Sequence, residues 1–181
     1  IGFPAQLREA LRAGLENVKA VPGRIEMLET GTPYKVILDY SHSPDALENI
    51  LTTVRMFTKK RLIVLFGCGG DRDHGKRPIM GEIGGRLADF SILTSDNPRT
   101  ENPDAILEAI EDGMKLTKGK YVMIENRRDA IRYALRMARE GDVIILAGKG
   151  HETYQDVMGV KKPFDEKVVV QELLTEIAGE H

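Results

Sequence analysis

The chain has 181 residues, of which 41% are hydrophobic and 30% charged, so it is predicted to be one globular domain or a domain with a short appendage, and a disordered chain is excluded. The net charge of -2 argues against extensive electrostatic capture of nucleic acid, and no apolar run approaches the roughly 18 residues of a membrane span. The single cysteine, Cys68, excludes an internal disulfide and indicates a reducing compartment.

The first predicted element is an amphipathic helix within residues 4–19, where leucines recur at helical spacing. Val21-Pro22-Gly23 ends this helix. Two short segments with apolar residues then flank the turn Gly31-Thr32-Pro33, and they predict a β-hairpin over residues 24–38.

From Leu38 onwards, predicted strands and helices alternate. The runs 62–66 and 143–146 are uninterruptedly apolar, which is typical of strands buried on both faces. The pattern predicts an α/β fold, a Rossmann-like sandwich whose mostly parallel sheet of about six strands is flanked by helices, with the hairpin at its N-terminal end. Beyond the hairpin, the predicted strands are 36–39, 62–66, 90–94, 121–124 and 143–146, and the predicted helices are 44–57, 78–87, 103–115, 128–138 and 166–177.

Polar and glycine-rich loops follow four of these strands at their carboxyl ends, the edge where open α/β sheets bind ligands. The loops comprise residues 39–45, 67–77, 94–103 and 147–155. They contain three of the four histidines, the only cysteine and the arginines at 72, 77 and 99. This concentration of chemical groups at one edge predicts a ligand-binding site there.

The loops match no common phosphate-binding motif in full. Arg72 occupies the sixth position of G-x-G-x-x-G, and no Ser or Thr follows Lys149 as a P-loop requires. The charged residues after the glycines favour an anion-binding loop, with a tight turn as the alternative. The histidines and Cys68 lack the close spacing of zinc ligands, so no metal site is predicted. Asp-Asn-Pro-Arg at 96–99 is also compatible with a plain turn.

Five segments resemble the C-terminal domain of the Mur ligases, and within that family the members that add meso-diaminopimelate. They are PGRIE at 22–26, DYSHSPDAL at 39–47, GCGGDRD at 67–73 with GKRP at 75–78, SDNPR at 95–99 and GKGHE at 148–152. The resemblance extends from residue 22 to about residue 166. Asp-Asn-Pro-Arg is the family's diaminopimelate-recognition motif, and all four of its positions match.

The resemblance implies that residues 21–181 are the C-terminal domain and residues 1–20 the last helix of a preceding central ATPase domain, or a linker. It also implies that the UDP-sugar domain, the phosphate loop and the magnesium ligands lie outside this chain. The chain is therefore expected to fold alone but to hold no catalytic residue and to be inactive by itself. The expected location is the bacterial cytoplasm.

In this family, ATP with Mg²⁺ phosphorylates a carboxylate of the UDP-sugar peptide, and the amine of diaminopimelate attacks the acyl phosphate. The resemblance gives the C-terminal domain two roles, closing over the nucleotide and holding the amino acid. The implied nucleotide-binding residues are Arg24, Asp39 and His42, and the implied diaminopimelate-binding residues are Arg72, Asp96, Asn97, Pro98, Arg99, Gly148 and Glu152.

Two alternatives stay open at this point. The C-terminal domain of folate polyglutamate ligase has the same architecture, but it gives no role to residues 96–99. A non-catalytic nucleotide-binding module is compatible with the glycine turns and basic loops, but it also leaves that motif without a function.

Overall fold

The computed structural model describes residues 23–180, so the helix predicted within residues 4–19 lies outside the described residues. Eight strands and five helices follow one another in this part of the chain, and none of these helices is long and apolar enough to cross a membrane. The elements are β1 Glu26–Leu28, β2 Lys35–Asp39, α1 Pro44–Arg55, β3 Leu62–Phe66, α2 Lys76–Leu87, β4 Phe90–Leu93, α3 Pro103–Met114, β5 Tyr121–Met123, α4 Arg127–Met137, β6 Val143–Ala147, β7 Tyr154–Val157, β8 Val160–Pro163 and α5 Glu166–Gly179.

Six strands form one sheet in the order β1-β2-β6-β3-β4-β5. Only β1 runs antiparallel to its neighbour, while β2, β6, β3, β4 and β5 are parallel. The predicted hairpin and the mostly parallel sheet are therefore confirmed. Because β6 lies between β2 and β3, with Leu146 opposite both Leu38 and Leu65, the loops after these three strands emerge side by side.

Each face of the sheet is covered by helices, which explains the continuous apolar runs of the central strands. In β3, Leu62, Val64 and Phe66 pack towards α1, α2 and α3. Ile63 and Leu65 point to the opposite face and pack towards α4 and α5. The two apolar layers make the sheet a rigid support for the loops at its edge.

Four of the five helices begin with a side chain that caps the first turn by accepting a backbone N–H. The exception is α2, where the cap is Gly75 and no side chain bonds to the first turn. This helix begins two residues before the predicted start at Pro78, since a proline in the first turn removes no intrahelical hydrogen bond. The capping side chains belong to Ser43, Asn102, Asn126 and Asp165.

A second hairpin, formed by β7 and β8, is absent from the sequence-based expectation. Its strands pair antiparallel in a separate two-stranded sheet, and Met158 and Gly159 form its tip with positive φ angles. None of its residues is fully buried, and its sequence lacks a strict apolar alternation. The hairpin follows the loop after β6 directly, which places it beside the loop after β4.

Candidate functional site

The loops after β2, β3, β4 and β6 enclose a cleft of about 450 Å³ at the carboxyl edge of the sheet. Three residues predicted to act in a site, Arg24, Asp39 and Pro98, do not line it. The other seven do, so all four loops contribute predicted site residues to the cleft. The lining consists of Tyr40, His42, Ser43, Gly69, Arg72, Asp73, Lys76, Asp96, Asn97, Arg99, Gly148 and Glu152.

A larger and more open depression of about 910 Å³ lies at the opposite edge of the sheet, beside residues 116–120. Four of its charged side chains already have partners, including Arg86 and Glu82, which pair with each other at 3.4 Å. Arg61 pairs with Asp142 at 2.6 Å, and Asp89 pairs with Arg55 at 2.7 Å. None of the predicted site residues lies in this depression, so we place the candidate functional site in the smaller cleft.

The glycine-rich loop after β3 packs directly on the loop after β4. A Cβ atom on Gly70 would lie 1.9 Å from the carbonyl oxygen of Pro98, and one on Gly67 would lie 2.0 Å from that of Thr94. The Gly70 amide also donates to the Asn97 carbonyl at 2.9 Å. These glycines therefore permit close contact between two backbones, and buried Pro98 takes part through its carbonyl group.

The carboxylate of Glu101, in the loop after β4, also connects these two loops. It accepts two hydrogen bonds of 2.9 Å from buried Arg77, one from the Asp71 amide and one of 3.1 Å from His74. Burial disfavours the ionised carboxyl, but the hydrogen bonds outweigh it and lower the pKa of Glu101. Arg77 and His74, two basic residues of the 67–77 loop, thus share Glu101 as a structural partner.

Arg99 is held in an unusual conformation by the β7–β8 hairpin. Its φ angle is +51°, a region that few non-glycine residues adopt. The Arg99 amide donates to the Asp156 carbonyl at 3.0 Å, and the Met158 amide donates to the Arg99 carbonyl at 2.7 Å. These bonds direct the side chain into the cleft, where Nη1 donates to the Gly70 carbonyl at 2.7 Å.

Lys149 lies fully buried below the cleft, and the sequence motifs did not single it out as a site residue. Its Nζ donates to Asn97 Oδ1 at 3.1 Å and to Glu152 Oε2 at 3.2 Å, and it lies 3.6 Å from Asp96 Oδ1. Asn97 Nδ2 also donates to Glu152 Oε2 at 3.0 Å. The sequence feature that could have identified Lys149 is its position between two glycines at the end of a buried strand.

The hairpin also fixes the polar groups of Asp96 and Asn97. The Asp156 amide donates to Asn97 Oδ1 at 2.9 Å, and Gln155 Nε2 donates to the Asp96 carbonyl at 2.7 Å. The Asn97 side chain therefore forms hydrogen bonds with Asp156, Lys149 and Glu152. Its contribution to the cleft is to orient its neighbours.

A fully buried ion pair lies beneath the loops after β4 and β6. Arg127 Nε donates to Glu166 Oε1 at 2.8 Å, and both side chains are completely inaccessible. Arg127 also donates to the carbonyls of Ala147 at 2.9 Å and Ser95 at 3.3 Å. Burial raises the pKa of Glu166 even though the Arg127 guanidinium opposes this. Arg127 thereby fixes the backbone just before two cleft residues, Asp96 and Gly148.

The proposed nucleotide residues Arg24 and Asp39 lie together beside the cleft. Asp39 is buried at the end of β2, where its carboxylate accepts from the Ile25 amide at 2.9 Å and from the Ser41 hydroxyl. Arg24 immediately precedes Ile25 and is exposed. Exposed His42, in contrast, lines the cleft itself.

The loop that carries Arg24 packs on the loop after β6. A Cβ atom on Gly23 would lie 2.3 Å from the His151 amide, and one on Gly150 would lie 2.7 Å from the Gly23 carbonyl. Gly23 and Gly150 both have positive φ angles. Two of the resembling segments therefore touch through their glycines.

Tyr40 joins these two regions, although sequence reasoning did not select it as a site residue. Its ring lies 4.7 Å from that of His42 and 5.2 Å from that of His151. Burial and the nearby carboxylates of Glu152 and Asp96 raise the pKa of Tyr40, so its hydroxyl stays protonated at neutral pH.

Cys68 is excluded as a nucleophile. Its thiol is buried in the apolar layer beside Met80, and burial raises its pKa to about 12. The reactive thiolate is therefore absent at neutral pH.

The sequence and the fold of this chain are similar to those of known proteins. Residues 23–150 match the family model described as Mur ligase, glutamate ligase domain. A curated relative from Caldanaerobacter subterraneus subsp. tengcongensis, named UDP-N-acetylmuramoyl-L-alanyl-D-glutamate–2,6-diaminopimelate ligase, is 52% identical over 97% of this chain and 36% of its own length. A solved structure with the same enzyme name aligns with a TM-score of 0.82 and 37% identity, over 98% of this chain and 38% of that chain.

This chain thus spans little more than a third of the length of these relatives. A folylpolyglutamate synthase structure from Mycobacterium tuberculosis aligns with a TM-score of 0.54 at 20% identity, over 96% of this chain and 35% of that chain. At that level of identity the likeness shows the fold alone. It therefore gives no support to the folate ligase alternative beyond a common architecture.

Proposed function

The chain belongs to the Mur ligase family, as a glutamate ligase domain, and on that premise we propose that it binds the amino acid for a ligase that joins 2,6-diaminopimelate to UDP-N-acetylmuramoyl-L-alanyl-D-glutamate. Curated relatives at about 50% identity carry that name. The complete ligase forms a C–N bond at the expense of ATP during synthesis of peptidoglycan precursors, with its other two domains outside this chain, in the bacterial cytoplasm.

The charge pattern of the cleft is the observation that carries this proposal. Positive groups and negative groups line the same 450 Å³, the former from Arg72, Lys76 and Arg99 and the latter from Asp73, Asp96 and Glu152. Diaminopimelate has two carboxylates and two amines, so the end that does not react is a zwitterion. A cleft lined by both signs fits that zwitterion better than it fits a simple anion or a simple cation.

The proposed contacts follow from the chemistry of each group. Arg99 and Arg72 bind carboxylates, since a guanidinium can donate two parallel hydrogen bonds to one carboxylate. Glu152 balances the ammonium group of the bound amino acid, and the Gly148 carbonyl accepts from it. Asp96, Asn97 and Pro98 belong to the same recognition loop, where Asn97 orients Glu152 at 3.0 Å.

The role of this domain in the reaction is to position the nucleophile. An amine held in line with the acyl carbon gains the advantage of an intramolecular reaction, and a wrongly held amine loses it. Arg99 and Glu152 fix the distant end of the amino acid, and the reacting amine is then directed out of the cleft. No catalytic residue is assigned within this chain.

ATP is proposed to bind at the rim formed by Arg24, Asp39 and His42. The donor set fits a nucleotide, because exposed Arg24 and His42 offer cationic or donor groups beside a carboxylate that can accept from ribose hydroxyls. Each oxygen of Asp39 has one internal donor, Ile25 or Ser41, and keeps a second acceptor position. ATP supplies the phosphoryl group that activates the acceptor carboxylate.

Mg²⁺ does not fit the residues of this chain that the structure describes. Residues 23–180 hold no group of three or more His, Cys, Asp or Glu side chains arranged for a metal ion. The magnesium ligands of the complete ligase are therefore proposed to belong to its central domain.

The decisive variant is Arg99→Ala in the full-length ligase, with kcat/KM measured for diaminopimelate and for lysine, which lacks the distant carboxylate. Loss of the charge-assisted pair is expected to lower the value for diaminopimelate by about 2–4 kcal/mol, or roughly 30- to 1,000-fold, and that for lysine much less. Arg99→Lys is expected to restore only part of the loss. Arg86→Ala, at the opposite edge, is the control. An unchanged ratio in Arg99→Ala would refute the assignment.

A further inference from the structure

We propose that Lys149 determines amino-acid specificity, because its buried ammonium sets the charge of the cleft so that a zwitterionic end group is preferred to a cationic one. The inference rests on the proposed function, since it concerns the same cleft. It assigns Lys149 a role through Asp96 and Glu152, and Lys149 is therefore a positioning and charge-setting residue without direct contact with the amino acid.

The geometry ties Lys149 to the cleft and isolates it from water. Its side chain has no exposed surface. A buried ammonium is stable only beside compensating groups. Two carboxylates provide that compensation, Glu152 at 3.2 Å and Asp96 at 3.6 Å. Both carboxylates line the cleft. The positive charge therefore lies directly below the surface on which the amino acid is proposed to rest.

The charge count gives the specificity. Asp96 and Glu152 carry two negative charges and Lys149 one positive charge, so the cluster presents one net negative charge. One ammonium group of the bound amino acid neutralises it, and Arg99 is left to bind the distant carboxylate. Without Lys149 the cluster would present two negative charges. It would then repel that carboxylate while attracting a second positive charge, which favours lysine over diaminopimelate.

Asp96 shows that the cluster is not saturated. Its Oδ1 atom is buried and makes no hydrogen bond within residues 23–180, so it faces Lys149 by charge alone at 3.6 Å. A purely structural lysine would be expected to satisfy its neighbours by hydrogen bonds. Because Asp96 Oδ1 lacks a hydrogen bond from any described residue, the Lys149 charge acts on it through space, across the cluster.

The test uses the full-length ligase and two variants that change the cluster charge in opposite directions. Lys149→Met makes it one unit more negative, and Glu152→Gln makes it neutral. Diaminopimelate differs from lysine by one negative charge a few ångströms away, so we expect the ratio of kcat/KM for diaminopimelate over lysine to fall about 10- to 100-fold in Lys149→Met. The ratio is expected to rise in Glu152→Gln. The double variant restores the net charge, and its ratio is expected to return towards the wild-type value.

A structural role for Lys149 gives a different result. Loosened loops would lower both kcat/KM values together, so the ratio in Lys149→Met would stay at its wild-type value, and that outcome would overturn the inference. A shift of the ratio in the same direction in both single variants would also overturn it. Thermal unfolding identifies variants that do not fold. If Lys149→Met fails to fold, Lys149→Gln replaces it, since it removes the same charge but keeps a hydrogen-bond donor, and the same fall in the ratio is expected. A wild-type ligase that does not use diaminopimelate would instead refute the proposed function.

Discussion

Replacing Arg127 by Met is expected to destabilise the domain in a strongly pH-dependent way. Within residues 23–180, the hydrogen bonds of the Glu166 side chain come from Arg127, and Oε2 of that carboxyl has no partner. The variant leaves a buried carboxylate with no counter-charge, which then either unfolds the domain or takes up a proton. An ordinary Glu has a pKa of about 4.3, so protonation at pH 7 costs about 4 kcal/mol. The loss of hydrogen bonds to two carbonyl groups adds about 1–2 kcal/mol.

The direction of the pH dependence follows from the pKa of Glu166. Burial already raises this pKa in the folded state, and removal of Arg127 raises it further. When the pKa of a group is higher in the folded than in the unfolded state, the free energy of unfolding is unaffected below the unfolded-state pKa. It falls as the pH rises from that value towards the folded-state pKa. The penalty of Arg127→Met is therefore expected to be about 5 kcal/mol at pH 7 and about 1–2 kcal/mol near pH 4.5.

Urea denaturation of the chain at the two pH values measures both penalties. Arg128→Met is a matched control, because the neighbouring Arg128 is partly exposed and pairs with Glu172 and Glu176 at the surface, where ion pairs contribute about 1 kcal/mol or less. Arg127→Met with Glu166→Leu is expected to recover much of the stability. Equal penalties for the two arginine variants, or a penalty that does not change with pH, would refute this reasoning.

Three further outcomes are expected. Native Cys68, whose pKa burial raises to about 12, should resist thiol reagents at pH 8 and react fully after denaturation. Gly150→Ala should cost about 2 kcal/mol or more, since its Cβ would meet neighbouring atoms at 2.7 Å. Gly159→Ala, where φ is also positive but the space is open, should cost about 1 kcal/mol. Burial alone would raise the pKa of Asp142, but hydrogen bonds from Arg61 and two amides lower it. The ionised carboxylate therefore stabilises the wild type above about pH 4, and this stability is lost as the pH falls below that value. Melting curves should show that Asp142→Asn lowers the stability at neutral pH and has little effect below about pH 4.

Most of the fold could be predicted because local signals agreed with the tertiary structure. Pro44 and Pro103 mark the starts of α1 and α3, and the apolar runs of β3 and β6 are the two central strands. The β7–β8 hairpin could not be predicted in this way. Its strands are polar, and they are fixed by bonds from Arg99 and Asn97, which lie more than 50 residues away in the sequence.

The candidate site could be predicted only where a motif carried it. Seven residues implied by the resemblance line the cleft, but Lys149, Tyr40 and Gln155 gain their roles through distant contacts that no periodicity reveals. Lys149, for example, meets Asn97 across 52 positions of the sequence. The glycines of the 67–70 loop are explained by backbone contact with Pro98 and Thr94, a reason that depends on the folded structure.

The most direct test of the central claim is to titrate the isotopically labelled chain with 2,6-diaminopimelate and follow its amide resonances by NMR. Diaminopimelate is expected to shift resonances of residues 69–73, 95–99 and 148–152 in a saturable manner, and lysine is expected to shift them at much higher concentration. Changes confined to residues 116–120 at the opposite edge, or equal responses to the two amino acids, would contradict the proposal that this cleft recognises the zwitterionic end of diaminopimelate.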